Sequence, residues 1–332
     1  MIKVGIIGFG TMGQIRYEEL LKRKDVSIEM IYDPNTNNNL DLDKKFVDSY
    51  EEILTCKEIN TVFICTPIFL NANITKQALL ANKHVFCEKP PTLTSSEMDE
   101  IIHIESKSDK KLMYGFNHRH HGSIKKINRI VKSGEYGKIL WMRGRYGKSV
   151  DSSFFKNWRS DINQAGSGIL FDQGIHMLDI FLYLANDFDL AKSFITNSYW
   201  KLDIEDNAFV ILKNSKTNVT ASLHSTMTQW RHLFSLEVFL EKGSMILNGL
   251  KTTSGSYGNE ILTISKNRSV APKAEWTEEE KITYQKSDFW QSEIKYFCDS
   301  IINNSKIMNG NSLDALKIMK LIEKIYEDSK NE

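Results

Sequence analysis

The sequence predicts two domains: an α/β N-terminal domain with a parallel sheet, residues 1–120, and an α+β C-terminal domain with a large open, mainly antiparallel sheet, residues 121–332. Three observations predict it. At 332 residues the chain exceeds the size at which one hydrophobic core keeps growing. Up to about residue 120, short β-branched runs alternate with helical stretches, the rhythm of a parallel sheet covered by helices. Beyond that point strands dominate, as in an open antiparallel sheet.

The N-terminal strands run from Ile2 to Gly8, Val26 to Asp33, Thr61 to Pro67, Lys83 to Glu88 and Lys111 to Phe116, with a short one at Lys45 to Val47. Ser49-Tyr50-Glu51-Glu52 and Thr94-Ser95-Ser96-Glu97 are capping boxes, in which hydroxyl and carboxylate satisfy free amides at a helix start. After residue 120 the pattern predicts a helix over 123–132, a strand over 138–146, a long irregular stretch and a helix over 174–185. Strands follow over 191–200, 208–213, 218–227, 235–240, 244–248 and 260–264, and two helices over 288–303 and 313–328 close the chain.

Composition narrows the function classes. Hydrophobic residues at 41% supply two cores, and 43 basic against 42 acidic residues leave no global field for nucleic acid or an anionic membrane. Met1-Ile2-Lys3-Val4 reads as a buried strand rather than a secretory leader, and no apolar run approaches the roughly 20 residues of a spanning helix. A cytoplasmic protein that binds neither nucleic acid nor membrane is expected. Cys56, Cys65, Cys87 and Cys298 form no CxxC pair, so neither a zinc knuckle nor a redox dithiol is expected. In His118-Arg119-His120-His121 the intervening arginine and the lack of carboxylate or cysteine partners argue against a metal.

Gly8-Phe9-Gly10-Thr11-Met12-Gly13 is a GxGxxG sequence, and its context makes it specific. A strand runs into it, an amphipathic helix leaves it, and a second strand ends in Asp33 about 20 residues later. This is the dinucleotide fingerprint of a Rossmann domain. Gly8 permits the tight turn, Gly10 lets backbone approach the pyrophosphate, Gly13 lets helix and strand pack closely, and the free amides at the helix start bind phosphate. A carboxylate at Asp33 accepts hydrogen bonds from the ribose diol of NAD and repels the 2′-phosphate of NADP; Pro34, Asn35 and Thr36 supply no cation after it. NAD is therefore the expected cofactor, although Asp33 could equally open a turn with Pro34.

Two later segments resemble the signatures of the Gfo/Idh/MocA oxidoreductases. Cys87-Glu88-Lys89-Pro90 resembles the family's EKP motif, and the segment Gly168 to Asp179, with Asp172, Gly174, His176 and Asp179 in place, resembles its GxxxDxGxHxxD motif. Thr66-Pro67, Gly115-Phe116-Asn117 with Arg119, and Trp158-Arg159 are supporting marks in the same order. Members often carry His shortly after the Thr-Pro pair; Asn71 fills that position here. The resemblance implies cofactor contacts from Thr66, Pro67, Asn71, Glu88 and Asn117 besides the glycine turn. It implies substrate contacts from Lys89, Arg119, Tyr146, Trp158, Arg159, Asp172 and His176, and a homodimer or homotetramer.

The chemistry agrees with that set. Oxidising a secondary alcohol with NAD removes a hydride from carbon and a proton from oxygen, so a base must reach the hydroxyl. His176 titrates in the right range, Lys89 at the end of a strand can orient the oxygen and stabilise alkoxide charge, and Asp172, four residues before His176, can contact the substrate or tune the imidazole. Arg143 and Arg145 alternate along one strand and would share a face, which would suit an anionic substrate unless that face is solvated. The reading is an NAD(H)-dependent oxidoreductase acting on a secondary hydroxyl or keto group of a sugar or sugar derivative, sugar phosphates and nucleotide-linked sugars included. Aldehyde reduction, elimination or hydrolysis at the same site stays open. The alternative of another class is a non-catalytic dinucleotide sensor or regulator, which would need the glycine turn but no proton-transfer group.

Overall fold

Six residues, Ile2–Ile7, open the chain as β1, and four of the five that follow Ile2 are buried because this strand is covered on both faces. The computed structural model describes residues 1–35, 45–156, 158–266 and 278–330. It divides into two compact units, 1–117 with 290–319 and 118–289 with 320–332.

In the first unit β1 is followed by α1 (Thr11–Leu21), β2 (Val26–Tyr32), α2 (Tyr50–Thr55), β3 (Thr61–Ile64), α3 (Ile68–Leu80), β4 (His84–Cys87), α4 (Ser95–Glu105) and β5 (Leu112–Tyr114). The sheet order is β2-β1-β3-β4-β5, every pair parallel. This is the expected Rossmann-type architecture. Both capping boxes form: Glu52 accepts from the Ser49 amide at 3.0 Å, and Thr94 and Glu97 bond reciprocally at 3.2 and 3.1 Å. The strand expected at Lys45 to Val47 shrinks to a single bridge between Phe46 and Ile31, because the chain must turn at Ser49 to start α2.

The second unit holds α5 (Gly122–Ser133), β6 (Ile139–Ser149), α6 (Ile162–Ala165), α7 (Ile175–Ala185), β7 (Leu190–Thr196), β8 (Asn207–Lys213), β9 (Thr220–Thr226), β10 (Thr228–Leu240), β11 (Gly243–Asn248), β12 (Glu260–Ser265) and β13 (Glu280–Tyr284). Its eight strands run β13-β12-β11-β10-β6-β9-β8-β7, antiparallel except for β6 beside β9. β13 was not expected from the sequence; its exposed, charged pattern hides it as an edge strand. One sheet face is covered by α7, which passes so close to β6 that a Cβ on Gly144 would come within 2.5 Å of Met177. The opposite face carries Phe194, Phe209 and Ile211, each more than half exposed, and the exposed Arg143, which pairs with Glu237. Arg145 is exposed on the same face, so the two arginines share a side of the strand, and it is the solvated one. By length and composition the stretch Ile162–Ala185 could span a membrane, which corrects the expectation that no run is long enough. Its window is 78% buried in the protein, as a core helix must be.

The helices α8 (Phe289–Ile302) and α9 (Ser312–Ser329) end the described chain. The expected contiguous second domain, 121–332, is interrupted here: residues 290–319 belong to the first unit. Ile294, Phe297 and Cys298 pack with Phe63, Phe86 and Met113 in its core, which a helix read only by its period could not disclose. Charge joins the same elements. Arg16 of α1 is wholly buried and pairs with Glu88 at 2.6 Å and with Glu293 of α8 at 2.7 Å, its guanidinium lying over the Phe86 and Trp290 rings. Burial works against the guanidinium charge, but the carboxylates of Glu293 and Glu88 outweigh it and raise its proton affinity. Removing one member of a buried ionic set leaves uncompensated charge, so Arg16→Ala should cost about 3–5 kcal/mol of unfolding free energy. Denaturant titration checks this, and a loss below about 1 kcal/mol would return Arg16 to a peripheral role.

Candidate functional site

The dinucleotide half of the site is built by the turn between β1 and α1. Gly8 has φ +91°, and a Cβ there would lie 2.6 Å from the Cys65 carbonyl. At Gly13 a Cβ would meet the Gly8 carbonyl at 2.1 Å, so helix and turn touch backbone to backbone. A Cβ on Gly10 meets nothing within 4 Å: the glycine needed for fold at positions 8 and 13 is needed at 10 only for what approaches from outside. No side chain caps α1, so the first-turn amides around Thr11, Met12 and Gly13 are available to an anion at the positive end of the helix. The donor set fits a pyrophosphate. The Phe9 side chain is buried against Tyr17 and Phe46, so Phe9 offers the turn only its backbone.

Asp33 follows β2 and braces the same turn. One carboxylate oxygen accepts from the Phe9 amide at 2.6 Å and the other from the Asn35 amide at 2.8 Å. Opening a turn and bracing the glycine loop are thus both real tasks of this residue. Thr36 lies outside the described residues.

Lys89 follows β4 at the carboxyl edge of the same sheet, in a turn whose Lys89-Pro90 peptide is cis. Asn71 and Glu88 hold that turn. Asn71 is 1% exposed; it accepts from the Thr66 hydroxyl at 2.9 Å and donates to the carbonyls of Glu88 and Pro90 at 3.3 and 2.9 Å. Glu88 is buried against Arg16. The side chains of Asn71 and Glu88, expected to contact cofactor, are bonded within the protein around this turn. Pro67 precedes α3, and Thr66 at the end of β3 stays partly exposed. Asn117 is buried at the end of the first unit's main segment.

The second unit supplies the other candidates. Asp172 lies in a π-helical turn, Leu170–Gly174, that leads into α7, where His176 is buried. The helix therefore begins a turn earlier than its apolar period suggests, and in a wider form. Arg159 and Lys148 approach Asp172 at 3.5 and 3.9 Å, and with Phe154, Ile204 and Met227 they line a small cavity beside it. Trp158 lies under the Arg159 guanidinium at 4.4 Å. His176 stacks on His118 with ring centroids 3.9 Å apart, and His118 Nε2 shares a hydrogen bond of 2.9 Å with the Tyr146 hydroxyl. Tyr257 joins Tyr146, and burial together with Tyr257 and the charge of Asp172 holds the Tyr146 hydroxyl protonated far above the ordinary tyrosine range.

Arg119, expected to contact substrate, binds Asp179 of α7 through its guanidinium at 2.8 and 2.6 Å, both residues almost fully buried. His121 is spent on Glu260 at 2.7 Å. His118, Tyr257 and Lys148 were missed as site residues. The histidine quartet did mark His118, but nothing in its spacing separates the ring that stacks on His176 from the ring that pairs with Glu260.

The first unit thus carries a dinucleotide turn and a lysine at the sheet's carboxyl edge, and the second carries a histidine-tyrosine-carboxylate set. Residues 2–116 match the family model described as oxidoreductase family, NAD-binding Rossmann fold, and residues 124–246 match the GFO/IDH/MocA C-terminal domain. The chain belongs to the Gfo/Idh/MocA family of oxidoreductases. It is 25% identical over 264 residues to the myo-inositol 2-dehydrogenase of Thermotoga maritima, covering 76% of this chain and 77% of that one. A levoglucosan dehydrogenase in complex with NADH and levoglucosan superposes with a TM-score of 0.85 at 18% identity, over 99% of this chain and 97% of that one. A 3-ketoreductase of Actinomadura kijaniata in complex with NADP and TDP-benzene gives 0.83 at 17%, over 98% and 97%.

The glycines separate binding from folding. Gly10→Ala should leave the unfolding temperature nearly unchanged but weaken dinucleotide affinity about 10-fold or more, as expected where backbone must approach the pyrophosphate. Gly13→Ala should lower both, because its Cβ meets backbone. Calorimetric titration beside thermal unfolding reads the two effects, and equal behaviour of the two variants would refute the assignment.

Proposed function

We propose that this protein is an NAD(H)-dependent dehydrogenase or reductase acting on a secondary hydroxyl or keto group of a sugar or polyol. The observation that carries the reading is that the glycine turn and Lys89 stand on one carboxyl edge of one parallel sheet, after β1 and after β4. They are two strand spacings apart, roughly 10 Å. Ligands of open α/β sheets bind at that edge, and a sensor of the dinucleotide would have no use for a braced lysine there. The sugar-type substrate is supported by the relative named for inositol and the neighbour bound to levoglucosan. It also suits the polar set of Asp172, Arg159, Lys148, His118, Tyr146 and His176, which offers several donors and acceptors to vicinal hydroxyls.

When bound, the nicotinamide accepts or returns a hydride at the substrate carbon. The chain's own residues handle the oxygen. His176, in neutral form, takes the hydroxyl proton in the oxidative direction and gives it back in the reductive one. Lys89 orients the oxygen and stabilises developing alkoxide charge, and Asp172 accepts from a neighbouring hydroxyl. Tyr146, kept protonated, can donate or accept and so fixes His118 or a substrate oxygen rather than acting as base. Preference for NAD over NADP is supported by Asp33, whose carboxylate would lie beside the extra phosphate.

Three variants test this. With Asp33→Ala the ratio of NAD to NADP affinity should fall, and equal affinities in the unmodified protein would refute the NAD assignment. Lys89→Ala should keep dinucleotide affinity and lose turnover by about 10²-fold or more. Oxidation should rise with pH as His176 loses its proton, the reductive direction should fall, and His176→Asn should abolish that limb while the protein still binds NAD. Binding without turnover across polyols, sugars, sugar phosphates and nucleotide sugars would instead favour a sensor.

A further inference from the structure

Glu205 is a buried carboxylate that the chemistry above does not use. It lies between β7 and β8, 8% exposed, and its two oxygens collect four donors. Oε2 accepts from the Gly168 amide at 2.8 Å and the Ser167 hydroxyl at 3.0 Å; Oε1 accepts from the Leu170 amide at 3.0 Å and the Tyr326 hydroxyl at 2.8 Å. Its carbonyl also accepts from the Ile169 amide at 3.2 Å, and a Cβ on Gly168 would come within 2.2 Å of that carbonyl. The chain held in this way, 167–170, runs directly into the π-helical turn that carries Asp172 and then into His176.

Two of the four donors cannot be reversed. Hydroxyls can rotate, but the Gly168 and Leu170 amides only donate, and one points at each oxygen. An ionised carboxylate accepts at both; a glutamine, flipped either way, turns its NH₂ group toward one of them. Tyr326 comes from the end of α9, a stretch tied down by Lys324 to the Asp189 carbonyl at 2.8 Å and by the Ser193 hydroxyl to the Ile325 carbonyl at 2.7 Å. Burial pushes the Glu205 carboxyl above its ordinary range, and the hydrogen bonds from Tyr326 and the amides pull it back.

We propose that Glu205, with Tyr326 of the C-terminal helix as its partner, is a positioning residue that fixes Asp172 and His176 through the backbone of residues 167–170. The proposal rests on the reading of His176 as the base. A buried four-donor carboxylate placed one turn before a reacting pair sets the path of the chain that carries it, and misplacement of such groups by about 1 Å costs about 10²-fold in rate.

The test uses full-length Glu205→Gln, Tyr326→Phe and Ser167→Ala, with two measurements: nitrogen-15 titration of the His176 imidazole in the absence of substrate, and steady-state kinetics. NAD affinity should stay within about 2-fold in all three, while Glu205→Gln displaces the His176 titration and lowers kcat by about 10- to 100-fold. Tyr326→Phe and Ser167→Ala each remove one of four donors and should give smaller shifts in the same direction. A folded Glu205→Gln with an unaltered His176 titration and kcat overturns the proposal, as does lowered thermal stability alone. Should Glu205→Gln fail to fold, Tyr326→Phe decides by the same criterion. If the unmodified protein turns over no substrate, the functional reading fails, yet the imidazole titration still tests the role of Glu205.

Discussion

A single buried cation organises the first unit. Arg16 belongs to the helix that leaves the glycine turn, Glu88 adjoins the lysine of the proposed chemistry, and Glu293 belongs to a helix that begins only at Phe289, long after the parallel sheet ends at Tyr114. One guanidinium against two carboxylates leaves the set net acidic, so each carboxylate depends on the same cation. A planar fork with five donors can serve both at once, whereas an ammonium on a flexible stem could not hold their geometry. Phe86 and Trp290 complete the enclosure by facing the guanidinium. The position of Lys89 is therefore inherited: its turn is pinned on one side by Glu88 and on the other by Asn71, and neither of these can move without exposing or orphaning a polar group.

The second unit solves the same problem with the opposite sign. The connection between β7 and β8 carries Glu205 and Asp206 side by side, and their oxygens face different loops. Asp206 accepts from the amides of Ser198, Tyr199 and Trp200 at 2.9, 2.7 and 2.9 Å, which orders the loop after β7, and those bonds hold its carboxyl below the ordinary range despite burial. Glu205 gathers the segment before Asp172. Loops have no ladder to satisfy their amides, so an ionised carboxylate, accepting at two oxygens, replaces it. The stabilisation per bond is larger than for a neutral acceptor, and the donor geometry is specified as well.

Much of this was legible in the sequence for a physical reason. Periodicity reports burial, so both sheets, α1, α4 and α7 could be read from it, and the capping boxes at Ser49 and Thr94 marked helix starts to the residue. The glycine turn was legible because Gly8 and Gly13 answer to backbone contacts that any reader of the fingerprint expects. What periodicity cannot report is which polar residues are inside. Nothing in the pattern marks Arg16 or Glu293 as interior, and only the fold reveals that they, like Arg119, are buried against opposite charges. Asn71 and Glu88, expected to meet cofactor, are bonded to protein groups around the turn of Lys89. The edge strand β13 failed for the converse reason, since its residues are too exposed to leave an apolar trace.

These anchors and the residues that would meet a substrate are separate sets, and the separation has a consequence for specificity. Arg16, Glu205, Asp206 and Arg119 are buried and bonded on every side that the fold presents, so changing them disturbs whole loops. Lys148 at the end of β6 and Trp158 and Arg159 on the stretch between β6 and α7 are only partly buried, and Arg159 and Lys148 approach Asp172 at 3.5 and 3.9 Å, distances that a ligand oxygen could readily re-form. On the proposed reading, substitution there should alter which hydroxyl pattern or charge is bound while leaving the buried ion pairs of each unit in place. The proposed chemistry would then rest on groups placed by desolvated ion pairs, and the choice of substrate on groups that solvent still reaches, which is where a physical search for the substrate has to be directed.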